Sequence, residues 1–131
     1  MIKRLIVCVA IMAVCSSFND ASLKGVWQYC GGMFNGKLSA APTEYTLQRK
    51  YKKKNFVAFV HESGEKAVKY EVGEYQLKAD TCFETQTYCS QPSQTLNKTI
   101  VYTYIISNDT LKFKGTLPNG AAVEEYWKKV K

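Results

Sequence analysis

The chain is expected to fold as an all-β domain, an antiparallel up-and-down β-barrel of about eight strands, behind an N-terminal export signal. Three observations lead there. From residue 23 onward, short segments of strand length alternate between polar and apolar residues, and no convincing amphipathic helix interrupts them. The connections between them are of hairpin length and rich in Gly, Asn, Asp and Pro. A tryptophan lies near each end, in Gly25-Val26-Trp27 and in Glu125-Tyr126-Trp127-Lys128-Lys129, as expected where first and last strands meet and close a sheet. A β-sandwich is the other architecture that this spacing allows.

The elements follow in order. Lys3 and Arg4 precede an apolar run from Leu5 to Val14, the charged start and short apolar stretch of an export signal, assigned to residues 1–17. The run is too short for a bilayer core, which takes about 20 apolar residues. Met12-Ala13-Val14-Cys15 resembles the lipobox of bacterial lipoproteins, in which the cysteine becomes the acylated first residue. Valine before that cysteine departs from the pattern, and ordinary cleavage within Cys15-Ser16-Ser17 competes. Residues 23–131 form a single domain, about 110 residues around one core. Its expected strands are Leu23 to Cys30, ended by Gly31-Gly32; Thr43 to Tyr51; Asn55 to His61; Val68 to Lys78; Thr81 to Tyr88; Thr99 to Ile106; Thr110 to Leu117; and Ala121 to Val130.

The formal net charge is +7, and loss of Lys3 and Arg4 with the signal leaves +5. The excess concentrates in Arg49-Lys50-Tyr51-Lys52-Lys53-Lys54. Such a run grips phosphate, anionic lipid or acidic glycan, or it is simply a solvated turn or a lysine-protected edge strand. No aromatic platforms alternate with the lysines, and export argues further against nucleic acid. Cys30, Cys82 and Cys89 remain after the signal. Three is an odd number, so at least one thiol stays unpaired or pairs between chains. Cys82 and Cys89 lie too far apart to pair unless their strand breaks. Cys30 with Cys89, both expected on the face opposite Trp27 and Glu84, is the favoured pair among pairings left open. The single histidine, His61, and the lack of a Cys-x-x-Cys spacing give no metal site, and no cofactor motif is present.

Leu23-Lys24-Gly25-Val26-Trp27 resembles the Gly-x-Trp opening of lipocalins and other calycins. Gly73-Glu74-Tyr75, Phe83-Glu84-Thr85-Gln86-Thr87-Tyr88 and the closing Glu125-Tyr126-Trp127-Lys128-Lys129-Val130 are similar, in order and spacing over about residues 23–130, to small exported lipocalin-like proteins of unknown function from Gram-negative bacteria. The closing Lys-Lys, where that family often has Lys-Arg, and the cysteines depart from it. The resemblance implies that Trp27 packs across the closed end of the barrel beside a basic residue of the last strand, here Lys129, with Trp127 completing the closure.

Alternation from Trp27 places Tyr29, Tyr75, Glu84, Gln86, Tyr88, Tyr102, Tyr104 and Glu125 on the inward face. Parity alone permits Phe83 inward instead of Glu84, and the resemblance favours Glu84. Tyr75, Glu84, Gln86, Tyr102, Tyr104 and Glu125 are therefore the candidate ligand-binding residues, because pockets combine aromatic walls with a few orienting polar groups. The alternative is that the tyrosines only fill the core and that Glu84 forms an ion pair with Lys129 or Lys114. The expected function is an exported carrier or sensor holding a small amphipathic or hydrophobic molecule in the barrel, located in the periplasm or at the outer membrane, with Cys15 or residues 49–54 touching a membrane surface, or else secreted. The competing readings are a protein-interaction or inhibitor module working through rim loops, and a cryptic hydrolase or isomerase. No nucleophile elbow, phosphate loop or metal motif supports catalysis.

Export predicts that residues up to Val14 or slightly beyond are missing from protein recovered from the cell envelope; an intact Met1 on N-terminal sequencing contradicts it. Labelled fatty acid that appears on the wild type and vanishes in Cys15→Ala decides for the lipid anchor.

Overall fold

A computed structural model describes residues 22–130; the expected export signal and Cys15 lie outside them. The described chain forms β1 (Gly25–Phe34), β2 (Lys37–Ser39), β3 (Tyr45–Tyr51), β4 (Asn55–Glu62), β5 (Val68–Lys78), β6 (Thr81–Cys89), β7 (Thr99–Ser107), β8 (Thr110–Thr116) and β9 (Ala122–Val130). Every pairing between these strands is antiparallel, and sequence neighbours from β3 to β9 pair in order. β1 pairs with β3 on one side and with β9 on the other, so eight strands close into a barrel. The expected all-β, closed antiparallel architecture is what the chain adopts.

The ninth strand, β2, was not expected. It folds back on β1 through Asn35-Gly36, with Phe34 opposite Lys37. Asn35 and Gly36 have φ of 48° and 79°, the left-handed pair that a two-residue hairpin requires and that Asn-Gly adopts most readily. β1 accordingly runs past Gly31-Gly32, where the sequence led us to end it.

The barrel has two unlike ends. At the closed end lie the short turns 52–54, 79–80 and 108–109, with both ends of the described chain. At the open end lie the longer connections 40–44, 63–67, 90–98 and 117–121. The segment before β1 crosses the closed end: Leu23 is fully buried, and its carbonyl accepts a hydrogen bond from Trp27 Nε1 at 2.8 Å. Trp27 stands opposite Lys129 in the β1–β9 ladder, and the Lys129 ammonium lies 5.4 Å from the centre of its ring. Above this floor the core is aromatic and aliphatic, with Tyr51, Phe56, Tyr75, Tyr102, Tyr104, Leu111, Phe113 and Trp127 buried together. Gly73 allows a close contact: a Cβ there would stand 2.4 Å from the Phe56 ring, so only glycine lets Phe56 lie against β5.

Bulges reset the alternation in three places. Between β5 and β6, Val72 faces Tyr88 while Gly73 faces Gln86, so Thr87 is the extra residue. Tyr88, expected inside, is consequently turned out and 43% exposed, with Lys69 Nζ 5.2 Å from its ring centre. A second bulge, at Cys30, lifts that residue out of the β1–β9 ladder. The expected Cys30–Cys89 disulfide is absent: all three described cysteines are free, Cys30 is exposed on β1 with its thiol on the Tyr126 carbonyl at 3.1 Å, and Cys89 ends β6, which is not a neighbour of β1. The third bulge, at Tyr70 of β5, turns two neighbouring residues towards the same region.

Because Trp27 is sealed beneath Leu23, Trp27→Ala should cost ~3–5 kcal/mol in urea unfolding, and Trp127→Ala a similar amount. A loss below about 1 kcal/mol for Trp27→Ala contradicts the closed end described above.

Candidate functional site

The basic run contains a residue unlike its neighbours. Arg49 is the sole arginine besides Arg4, and it points into the barrel while Lys50, Lys52, Lys53 and Lys54 are exposed. Arg49 stands opposite Ala58 on β4 and Trp27 on β1. The small Ala58 side chain leaves room for its guanidinium, which lies 4.8 Å from the Phe56 ring centre and 4.9 Å from that of Trp127. A planar, weakly hydrated cation suits that position better than an ammonium does.

Its edges are met by acids and a phenol. Nη1 donates to Glu84 Oε1 and to the Tyr51 hydroxyl, each at 3.0 Å, and Nη2 donates to Glu71 Oε1 at 2.7 Å. Nε is buried without a hydrogen-bond partner among the described residues. The network continues upward. Gln86 Nε2 donates to Glu71 Oε2 at 2.5 Å, and Gln86 Oε1 accepts from Ser93 Oγ at 2.5 Å and Thr95 Oγ1 at 3.2 Å. The 90–98 loop is thereby fastened over the barrel wall. Glu125 stands on the same inward face and accepts from Trp127 Nε1 at 3.0 Å.

Two carboxylates thus share one guanidinium, and a third, Glu125, acts on it only through its charge. Burial pushes Glu84 up to about 7 from its ordinary 4.5; Arg49 opposes the shift, and Glu125 and Glu71 add to it. The same burial raises Tyr51 well above its ordinary value and Tyr70 to about 12. Arg49 is held firmly as a cation, because the attraction of Glu84, Tyr51 and Glu71 outweighs its desolvation.

The residues singled out in the sequence divide into two groups. Glu84, Gln86 and Glu125 gather around Arg49, and Tyr102 packs on Phe113 with ring centres 5.5 Å apart. Tyr75 and Tyr104 belong to the closed end instead: the Tyr75 hydroxyl donates to the Lys52 carbonyl and that of Tyr104 to the Ala79 carbonyl at 2.9 Å, bracing two turns. The ion-pair partner of Glu84 is Arg49, not Lys129 or Lys114. Lys129 lies at the closed end over Trp27, and Lys114 reaches Glu124 at 3.4 Å. Arg49, Tyr51, Tyr70 and Glu71 were not anticipated. The available signal was chemical: one arginine among many lysines, two residues before an inward tyrosine.

Glu84 has the raised pKa that a general acid or base needs, yet both its oxygens face the Arg49–Tyr51 pair. A concavity of about 780 Å³ lies elsewhere, on the outer wall beside Glu74, Gln76, Phe83, Thr85 and Thr99.

No protein-family model and no curated protein matches the chain. Among solved structures it is similar to an uncharacterized protein from Bacteroides eggerthii DSM 20697, with a TM-score of 0.60 at 13% identity over 83% of this chain and 100% of that one. At that identity the likeness concerns the fold alone.

The raised Glu84 generates a pH prediction. The folded protein retains a proton that the unfolded chain releases between pH 4.5 and about 7. The associated stability is therefore full below pH 4.5 and is lost as pH rises through 7, by about 3 kcal/mol in all. Glu84→Gln should flatten most of that decline in urea midpoints measured from pH 4.5 to 8. An equal decline in the variant assigns it to other groups.

Proposed function

We propose that the chain is an exported, lipocalin-like binding protein that meets a small amphipathic ligand at the open end of the barrel rather than deep inside it. The observation that carries this reading is the Arg49 network. It fills the middle of the barrel, so the polar layer formed by Glu71, Gln86 and Glu125 is the part of the interior nearest the mouth. Around that end stand apolar side chains with little cover: Leu38 is 83% exposed, Val68 60%, Phe34 49% and Tyr45 39%. Exposed apolar side chains around a carboxylate-bearing floor suit a molecule with an apolar body and a donor or cationic head. Export, and a lipid anchor at Cys15, belong to the same proposal and are carried by the sequence.

A protein partner at this rim is the second reading, favoured by Leu38, whose side chain projects from the β1–β2 hairpin with almost no contact of its own. A photo-crosslinking residue placed at Leu38 or, as a control at the opposite end, at Asp109 separates the two in the native envelope. Native mass spectrometry of the protein from its own host completes the test. A co-purifying small molecule that is lost in Leu38→Asp supports the first reading. A Leu38-specific protein adduct supports the second. Crosslinks equal at both positions, with no bound molecule, contradict both.

A further inference from the structure

The fold gathers on the closed end lysines that are scattered through the sequence. Lys52, Lys53 and Lys54 occupy the β3–β4 turn, Lys24 precedes β1, Lys78 ends β5, and Lys129 lies near the end of β9; all are exposed. The acids of that end are Asp80 and Asp109 in the neighbouring turns and Glu74 on β5, so cations prevail. At the open end, by contrast, Lys37, Lys66 and Lys98 stand beside Glu44, Glu62 and Glu65. The basic end also has relief. A concavity of about 440 Å³ is lined by Lys24, Lys53 and Lys54, with Ser22 and Gln76 as further polar residues and Leu23, Tyr75 and Leu77 as its apolar wall.

The path of the chain adds a second, independent observation. Ser22 and Leu23 lie in this recess, so residues 1–21, with the apolar run and Cys15, join the barrel at the lysine-bearing end and not at the mouth. Any tether through that segment brings this end towards the bilayer.

We propose that the closed end is a membrane-facing surface that docks on anionic lipid headgroups, with the recess between Lys24, Lys53 and Lys54 seating a headgroup phosphate and the open mouth turned away from the bilayer. Each lysine near an anionic surface favours association roughly fivefold, and salt weakens the effect over a Debye length of about 8 Å at physiological ionic strength. The surface is therefore an orienting contact that supplements an anchor. The membrane as partner rests on the export reading, whereas the lysine surface itself does not depend on the ligand proposed for the mouth.

The test uses the full chain carrying Cys15→Ala, purified after export, so that no acyl chain contributes. It is sedimented with phosphatidylcholine vesicles that do or do not contain phosphatidylglycerol. Binding is expected only with the anionic lipid and should fall as salt rises. Lys53→Glu with Lys54→Glu should weaken it at least tenfold with an unchanged urea midpoint, because both side chains lie in an exposed turn. Lys66→Glu with Lys98→Glu, the same change of net charge at the open end, should leave binding within twofold. Equal losses in the two double variants, or retention by pure phosphatidylcholine, overturn the proposal. So does competition by glycerophosphate at concentrations equal to that of the vesicle lipid, which identifies a free-anion site instead. The outcome leaves the Leu38 crosslinking result untouched, so failure here and failure of the mouth reading are separable.

Discussion

A single guanidinium buried in a barrel of aromatic rings sets the terms for much of this structure. Arg49 needs flat apolar faces above and below, provided by Phe56 and Trp127, and anionic or polar groups at its edges, provided by Glu84, Glu71 and Tyr51. These partners come from β3, β4, β5, β6 and β9, so one side chain ties together five of the eight barrel strands. Replacing such a pair by well-packed apolar residues is often neutral or stabilising, whereas removing one partner alone is costly. Its contribution is better sought in register. A one-residue slip of β3 against β4 exchanges Arg49 for Lys50 on the inward face and turns Tyr51 outward. An ammonium is a single point charge and does not span two carboxylates as the guanidinium fork does.

That dependence explains which parts of the fold were legible in the sequence. Strand positions, their order and the meeting of the two tryptophans follow from period-two patterning and turn chemistry, and most strand ends fall within a residue or two of where these place them. What was lost was lost at bulges. Alternation counted from Glu84 carries Tyr88 inward, but the extra residue Thr87 reverses the parity and no local signal marks it. The same bulge shifts the parity of Cys89, and β6 is not a neighbour of β1, so the Cys30–Cys89 pairing fails although Cys30 is exposed as its face predicted. The β1–β2 hairpin is different: Asn35-Gly36 announces it, and the glycine pair before it drew the eye to an earlier strand end.

The site was half legible for a related reason. Glu84, Gln86 and Glu125 followed from face and polarity, but an inward carboxylate says only that some cation must face it. Lysines are plentiful, so Lys114 and Lys129 offered themselves as partners. The decisive residue lay inside a charge run, where composition argues for solvent. Alternation within that run was the missed clue, since Arg49 and Tyr51 share a face that Lys50 and Lys52 do not. Charge runs in strands therefore have to be read with period two, as apolar runs are.

The network also divides the molecule along its axis. Below Arg49 the interior is committed to packing, with Tyr75 and Tyr104 spending their hydroxyls on turn carbonyls. Above it, Gln86 links Glu71 to Ser93 and Thr95, so the 90–98 loop is coupled to the buried charge by hydrogen bonds. Short turns leave the closed end little chain with which to build a binding loop; what they display is the lysines themselves. At the other end the β1–β2 hairpin and the start of β5 leave Leu38 and Val68 exposed. The middle of the barrel is taken by the Arg49 network, and the two ends differ in chemistry: cations prevail at one, and uncovered apolar side chains stand among balanced charges at the other.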